Sequence, residues 1–139
     1  MKDRSTANKR VRMDARAARR SMSAMERNNA SRRIADHFLN SRYFLASDTI
    51  ACYLSTWDEV DTSAIIERAW SAKKRVFLPV IAAHGIMKFR ETLPETEMKL
   101  NHFGLWQPVS GESIGASALD VVVTPLVAFD GERNRIGMG

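Results

Sequence analysis

Apolar residues recur along the first third of the chain at three- and four-residue intervals, then gather further on into short continuous runs. The first spacing is helical and the second suits buried strands. Val11, Ala15, Ala18 and Met22 form a narrow apolar stripe, which predicts a helix from about Thr6 to Arg20. Ser23-Ala24-Met25-Glu26 is a capping-box pattern: the Ser hydroxyl accepts from the amide three residues on, and the Glu reaches back. It predicts a second helix running to about Leu39, with Ala30, Ile34, Phe38 and Leu39 facing the core.

Thr49–Leu54 is a continuous apolar, β-branched run, as expected of a strand covered on both faces. Asp61 or Thr62 opens a helix to about Ala72 that carries Ile65, Ile66, Ala69 and Trp70 inward. Lys73 and Lys74 follow, where cations meet the negative end of the helix dipole. Arg75–Pro79 reads as a second strand ended by its proline, and Ile86–Arg90 alternates like an edge or one-sided strand. Glu91–Trp106 reads mostly as loop, and Leu119–Thr124 as a third buried strand stopped by Pro125. A strand–helix–strand unit with short connections predicts an α/β fold: three layers, with a mostly parallel or mixed central sheet flanked by helices. No internal repeat or low-complexity segment interrupts it. The expectation is one domain over residues 1–139, incomplete at its C-terminus, because two alternating glycines close the chain just after a strand.

Composition narrows the function classes. The net charge of +5 favours anionic partners, leaving nucleotides, folates, nucleic acid and acidic membrane surfaces open. Cys52 is the only cysteine, which excludes an intramolecular disulfide, and its apolar neighbours predict a buried thiol. The basic start lacks the apolar stretch of a secretory signal. It partly fits a transit peptide, against which Asp3 and Asp14 argue, so the expected compartment is the cytoplasm. No apolar run reaches the roughly 20 residues that span a bilayer. His37, His84 and His102 lack metal-ligand spacing, and no G-x-S-x-G elbow is present.

Three features carry candidate chemistry. Lys9, Arg12, Arg16 and Arg19 share one helix face, either a solvated face or a phosphate-binding one. Trp57-Asp58-Glu59-Val60-Asp61 puts three carboxylates directly after a strand, where α/β sheets hold ligands. The plain alternative makes Asp61 a helix cap and Asp58 solvated, leaving Glu59 least explained. Thr124–Asp130 also follows a strand, and leads to Arg135-Ile136-Gly137-Met138-Gly139, whose backbone amides could close on a phosphate. The aromatic residues are not interleaved with Lys and Arg as in base-stacking modules, so a nucleic-acid partner is not expected. The competing readings are a basic RNA- or anion-binding module resting on the first helix, and an inactive remnant.

In order and spacing the chain resembles the 5-formyltetrahydrofolate cyclo-ligase (methenyltetrahydrofolate synthetase) family. The segments carrying the resemblance are Lys9–Arg12, Met22–Arg27, Tyr53–Ser55, Glu59–Thr62, Lys74–Pro79, Phe103–Pro108, and Asp120–Asp130 with Arg135–Gly139. The resemblance implies ATP- and Mg2+-dependent conversion of 5-formyltetrahydrofolate to 5,10-methenyltetrahydrofolate in one-carbon metabolism, by way of a phosphorylated imidate. It implies Lys9 and Arg12 on the ATP phosphates, and Leu54 and Glu59 at the folate. It implies Arg135, Gly137, Met138 and Gly139 in a nucleotide loop, with Arg135 as the catalytic group. Where the family pattern places a glycine two residues before that arginine, this chain has Arg133. The family pattern continues past Gly139 with a magnesium-binding Asp, so impaired activity is the expectation. The partners expected are these small molecules, met by a monomer with no membrane attachment.

Overall fold

A computed structural model describes residues 2–137. Helices α1 (Lys2–Ser21), α2 (Ala24–Leu39) and the short α3 (Arg42–Leu45) lead into strand β1 (Thr49–Ala51). Helix α4 (Ser63–Ser71) connects it to β2 (Arg75–Ile81), which is followed by β3 (Met87–Glu91), β4 (Met98–Leu100) and β5 (Trp106–Pro108). Short strands β6 (Ser113–Ile114), β7 (Val121–Val122), β8 (Ala128–Phe129) and β9 (Arg135–Ile136) complete the order. Five strands form a mixed sheet in the order β6-β3-β2-β1-β7. β1 runs parallel to both β2 and β7, whereas β3 is antiparallel to β2 and to β6. The α/β class with a mixed, helix-flanked sheet is therefore as the sequence predicts.

Alternation along β1 and β2 builds the core. Ile50, Cys52, Val76 and Leu78 face Ala35, Phe44, Ile65, Ile66 and Ala69 from α2, α3 and α4. The intervening Ala51 and Phe77 join Phe89 in a smaller cluster on the opposite face. Burial pushes the Cys52 thiol pKa up to about 12.

The capping box at the start of α2 forms as predicted: the Glu26 amide donates to Ser23 Oγ, and the Ser23 amide donates to Glu26 Oε2 at 2.7 Å. Other expectations are corrected. On α2 the small residues Ser31 and Ala35 face inward and Ile34 is 48% exposed, because close approach to α4 and its entry loop selects small side chains. β2 runs through Pro79 to Ile81. The β1 ladder ends at the Ala51–Phe77 pair, so Pro79 lies in register only with β3. The region read as loop contains the β4–β5 hairpin. The Leu119–Thr124 run contributes a strand of only two residues, β7, and Val122 is 40% exposed. β7 pairs with β1 alone among the described residues, so it is an edge strand, and with Val121 and Val123 against the core and Val122 exposed it is covered on one face.

Candidate functional site

Because β1 and β7 are parallel neighbours, the segments leaving their carboxyl ends emerge side by side. The first is the loop from Cys52 to Thr62; the second leads through Pro125 and Leu126 into the β8–β9 hairpin. Open α/β sheets hold ligands at such strand ends.

Local bonds give the first loop its shape. The Thr56 amide donates to Glu59 Oε2 at 2.8 Å, and the Glu59 amide donates back to the Thr56 carbonyl. Thr62 turns its hydroxyl to the Tyr53 carbonyl, and Asp61 Oδ1 accepts from the Ser63 amide, so Asp61 caps the first turn of α4. Across the loop, Ser31 Oγ on α2 accepts from the Asp61 amide at 3.0 Å. Between α2 and this loop lies a cavity of about 240 Å3 lined by Arg27, Asn28, Ser31, Thr56, Trp57 and Glu59, among others. Arg27 reaches the Met22 carbonyl and stands over the Trp57 ring, 5.3 Å from its centre, which fixes a cation at the rim. Tyr53, whose hydroxyl donates to the Val60 carbonyl, has its pKa raised to about 12 by burial and then by the Glu59 charge.

Glu59 thus lines the cavity, and Leu54 stands on the same loop, 43% exposed. Asp58 does not behave as the solvated residue of the plain alternative. It is 8% exposed and points away from the cavity toward α1. Its Oδ2 accepts from Arg19 Nη2 at 3.1 Å and lies 3.5 Å from Arg20 Nε; its Oδ1 accepts from Thr56 Oγ1 at 3.2 Å. Burial raises its pKa, but Arg19, Thr56 and Arg20 together outweigh that and leave it lowered. Sequence reasoning missed this pair. The signal was present, since Ala15, Arg19 and Met22 share one spacing of four and three residues, which puts Arg19 on the helix's packed side. The predicted apolar stripe placed Ala18 there, and Ala18 is exposed.

Arg135 and Gly137 sit on and just after β9, which pairs with β8. Arg135 is exposed. A Cβ on Gly137 would come 3.1 Å from the Leu126 Cα, so glycine lets the two backbones approach closely. Asp130 holds the intervening turn, accepting from the amides of Glu132 and Asn134. Arg133 takes the left-handed conformation there with φ of 68°, which explains how a position suited to glycine is occupied without one. Met138 and Gly139 lie outside the described residues. Lys9 and Arg12 are exposed on α1, whose packing against β8 brings the helix to this second segment. No helix among the described residues is long and apolar enough to cross a membrane.

The family model described as the 5-formyltetrahydrofolate cyclo-ligase family matches residues 4–139. The 5-formyltetrahydrofolate cyclo-ligase of Haemophilus influenzae is 36% identical over 134 residues, covering 93% of this chain and 71% of that protein. The Escherichia coli K12 protein of the same name is 33% identical over 128 residues, covering 89% and 70%. The NMR structure of Aquifex aeolicus 5,10-methenyltetrahydrofolate synthetase superposes with a TM-score of 0.82 at 25% identity, covering 95% of this chain and 67% of that one.

Proposed function

Since this chain belongs to the 5-formyltetrahydrofolate cyclo-ligase family, we propose that it closes the ring of 5-formyltetrahydrofolate at the expense of ATP. The N5-formyl oxygen attacks the γ-phosphorus, the bond to the β-phosphate oxygen breaks, and ADP leaves. N10 then bonds to the formyl carbon and loses its proton, and the carbon–oxygen bond breaks to release phosphate. The product is 5,10-methenyltetrahydrofolate. Phosphoryl transfer of this kind asks the protein for positioning and charge, and needs no nucleophilic side chain.

The observation that carries this reading is the position of Glu59. One carboxylate oxygen is held by the Thr56 amide, while the side chain lines a polar cavity at the end of β1. A fixed acceptor in such a cavity suits the amine and amide donors of a pterin. Leu54, on the same loop, supplies apolar surface beside it. Lys9, Arg12 and Arg135 are the cations assigned to the ATP phosphates, and Gly137, Met138 and Gly139 are assigned to the nucleotide loop. Magnesium would neutralise charge on the transferring group when bound. Mg2+ uses one or two carboxylates plus substrate phosphates. Among the described residues no three His, Cys, Asp or Glu side chains converge on a metal position.

The test is to incubate the purified chain with MgATP and 5-formyltetrahydrofolate, and to follow methenyltetrahydrofolate by absorbance beside calorimetric titration of each substrate. Product formation dependent on ATP is the expected result. A folded chain with no affinity for 5-formyltetrahydrofolate would overturn the reading. Tight, steeply salt-dependent binding of random RNA in its place would favour a basic binding module.

A further inference from the structure

Arg19 reaches two places at once. Its Nη2 donates to Asp58 in the loop that carries Glu59, and its Nη1 donates to the Leu126 carbonyl at 3.4 Å. Leu126 is the residue against whose backbone Gly137 is packed. Asp58 in turn is tied through the Thr56 hydroxyl to the residue whose amide holds Glu59. A continuous series of contacts therefore runs from Glu59 through Thr56, Asp58, Arg19 and Leu126 to Gly137. The Arg19 side chain is three-quarters covered, and its Nε is buried and finds no protein acceptor. An arginine with a buried donor left unsatisfied is retained only where its remaining bonds compensate. Arg20 adds a second cation to the same Asp58 oxygen from the exposed side.

We propose that Arg19 and Asp58 are a positioning pair, which fixes the Glu59 loop against the Leu126–Gly137 segment and so sets the separation between the two proposed substrate sites. Neither side chain is assigned to a substrate. The guanidinium fork suits this role, because it aims separate N–H groups at a carboxylate and a carbonyl, whereas a lysine is a single point donor. The effect of the pair on turnover rests on the cyclo-ligase reading. Its effect on the backbone does not.

The experiment compares Asp58→Asn, Arg19→Lys and Glu59→Gln with the parent, using hydrogen–deuterium exchange and steady-state kinetics. In Asp58→Asn and Arg19→Lys, exchange should accelerate in both residues 53–60 and residues 126–137, at least tenfold at the fastest-responding amides. Glu59→Gln should leave the second segment unchanged. In turnover, Asp58→Asn should raise KM for ATP and for 5-formyltetrahydrofolate together by about tenfold, while Glu59→Gln raises only the latter. Arg19→Lys keeps the charge and is the milder variant, so it decides the matter should Asp58→Asn fail to fold. Acceleration confined to residues 53–60, or a change in only one KM, would overturn the proposal. If the parent binds neither substrate, the functional reading fails, and the exchange pattern alone still decides whether the pair joins the two segments.

Discussion

Replacing Glu59 by glutamine changes one oxygen to an NH2 and leaves the size of the side chain the same. In the parent, Oε2 accepts from the Thr56 amide at 2.8 Å, so Oε1 is the atom left for a ligand. The glutamine side chain can keep the Thr56 bond only by giving it the remaining carbonyl oxygen, which turns the NH2 toward the cavity. An acceptor facing pterin donors thus becomes a donor facing donors, and the negative charge is lost as well. A hydrogen bond to a charged group contributes about 1.5–3 kcal/mol, so the dissociation constant for 5-formyltetrahydrofolate should rise roughly 10- to 150-fold. ATP affinity should stay within about twofold, since Glu59 lines the cavity beside α2, whereas the cations proposed for ATP stand on α1 and β9. Calorimetric titration with each substrate separately gives both numbers, and circular dichroism melting checks that the fold is intact. An unchanged folate affinity would refute the assignment and make Glu59 a structural residue of its own loop. A parallel loss of ATP affinity would refute the division of the two sites.

Other outcomes follow from single features of the structure. Arg12→Ala should weaken MgATP binding more than Lys9→Ala in calorimetry, because Arg12 stands nearer the axial line of Arg19 on α1; equal losses would make the basic face undifferentiated. Helix α4 ends with the Lys73 amide on the Trp70 carbonyl and the Lys74 amide on the Ala69 carbonyl, and Lys73 has φ of 58°. This is the left-handed closure that glycine adopts without strain, so Lys73→Gly should stabilise by about 1 kcal/mol, raising Tm by roughly 3–6 °C. Acid should unfold the protein partly through Asp120, whose carboxylate accepts from the amides of Thr49 and Asp48, lowering its pKa. A carboxyl depressed in the folded state stabilises above its unfolded value of about 3.9 and loses that contribution as pH falls through the folded value. Denaturant midpoints should therefore fall below about pH 4, and less steeply in Asp120→Asn than in the parent.

What the sequence made legible was local. The capping box at Ser23 and Glu26 involves partners three residues apart, and the buried runs at Thr49 and Arg75 carry their strand character in their own composition. What stayed hidden depended on distant partners. Ile34 outranks Ser31 and Ala35 in hydrophobicity, yet the inward face of α2 is set by how closely α4 and its entry loop approach, and that favours the smaller residues. In the β4–β5 hairpin Met98-Lys99-Leu100 and Trp106-Gln107-Pro108 alternate over only three residues each, and Leu100 and Trp106 are more than half exposed, so the pattern is too short and too little buried to announce it. Helical spacing puts Arg19 on the packed side of α1, but Asp58 is 39 residues away, and nothing in the sequence names it as the partner until α1 lies against the loop after β1. The sequence leaves Glu59 without a helix-cap role; in the structure its carboxylate accepts from the Thr56 amide and lines a cavity.

The geometry of α1 lets one helix combine a structural role with the binding role proposed for it. At about 1.5 Å and 100° per residue, Arg12 lies about 10 Å before Arg19 along the axis and only about 20° from it in direction. Lys9 lies about 15 Å away and about 80° round. Arg19 is spent internally, on Asp58 and the Leu126 carbonyl, and so anchors the C-terminal end of the helix against both loops. Two turns back, Arg12 points in nearly the same direction with its side chain exposed, so it overhangs the side of the molecule that Arg19 penetrates. The anchored, partly buried arginine therefore helps set where the exposed one is held. A basic face that reads as uniform in the sequence divides into an anchoring end at Arg19 and an exposed end at Lys9 and Arg12. Charge alone would place an anion anywhere along α1, whereas in the proposed arrangement the anchor holds the helix, and Lys9 and Arg12 with it, against β8, the partner of the strand that carries Arg135.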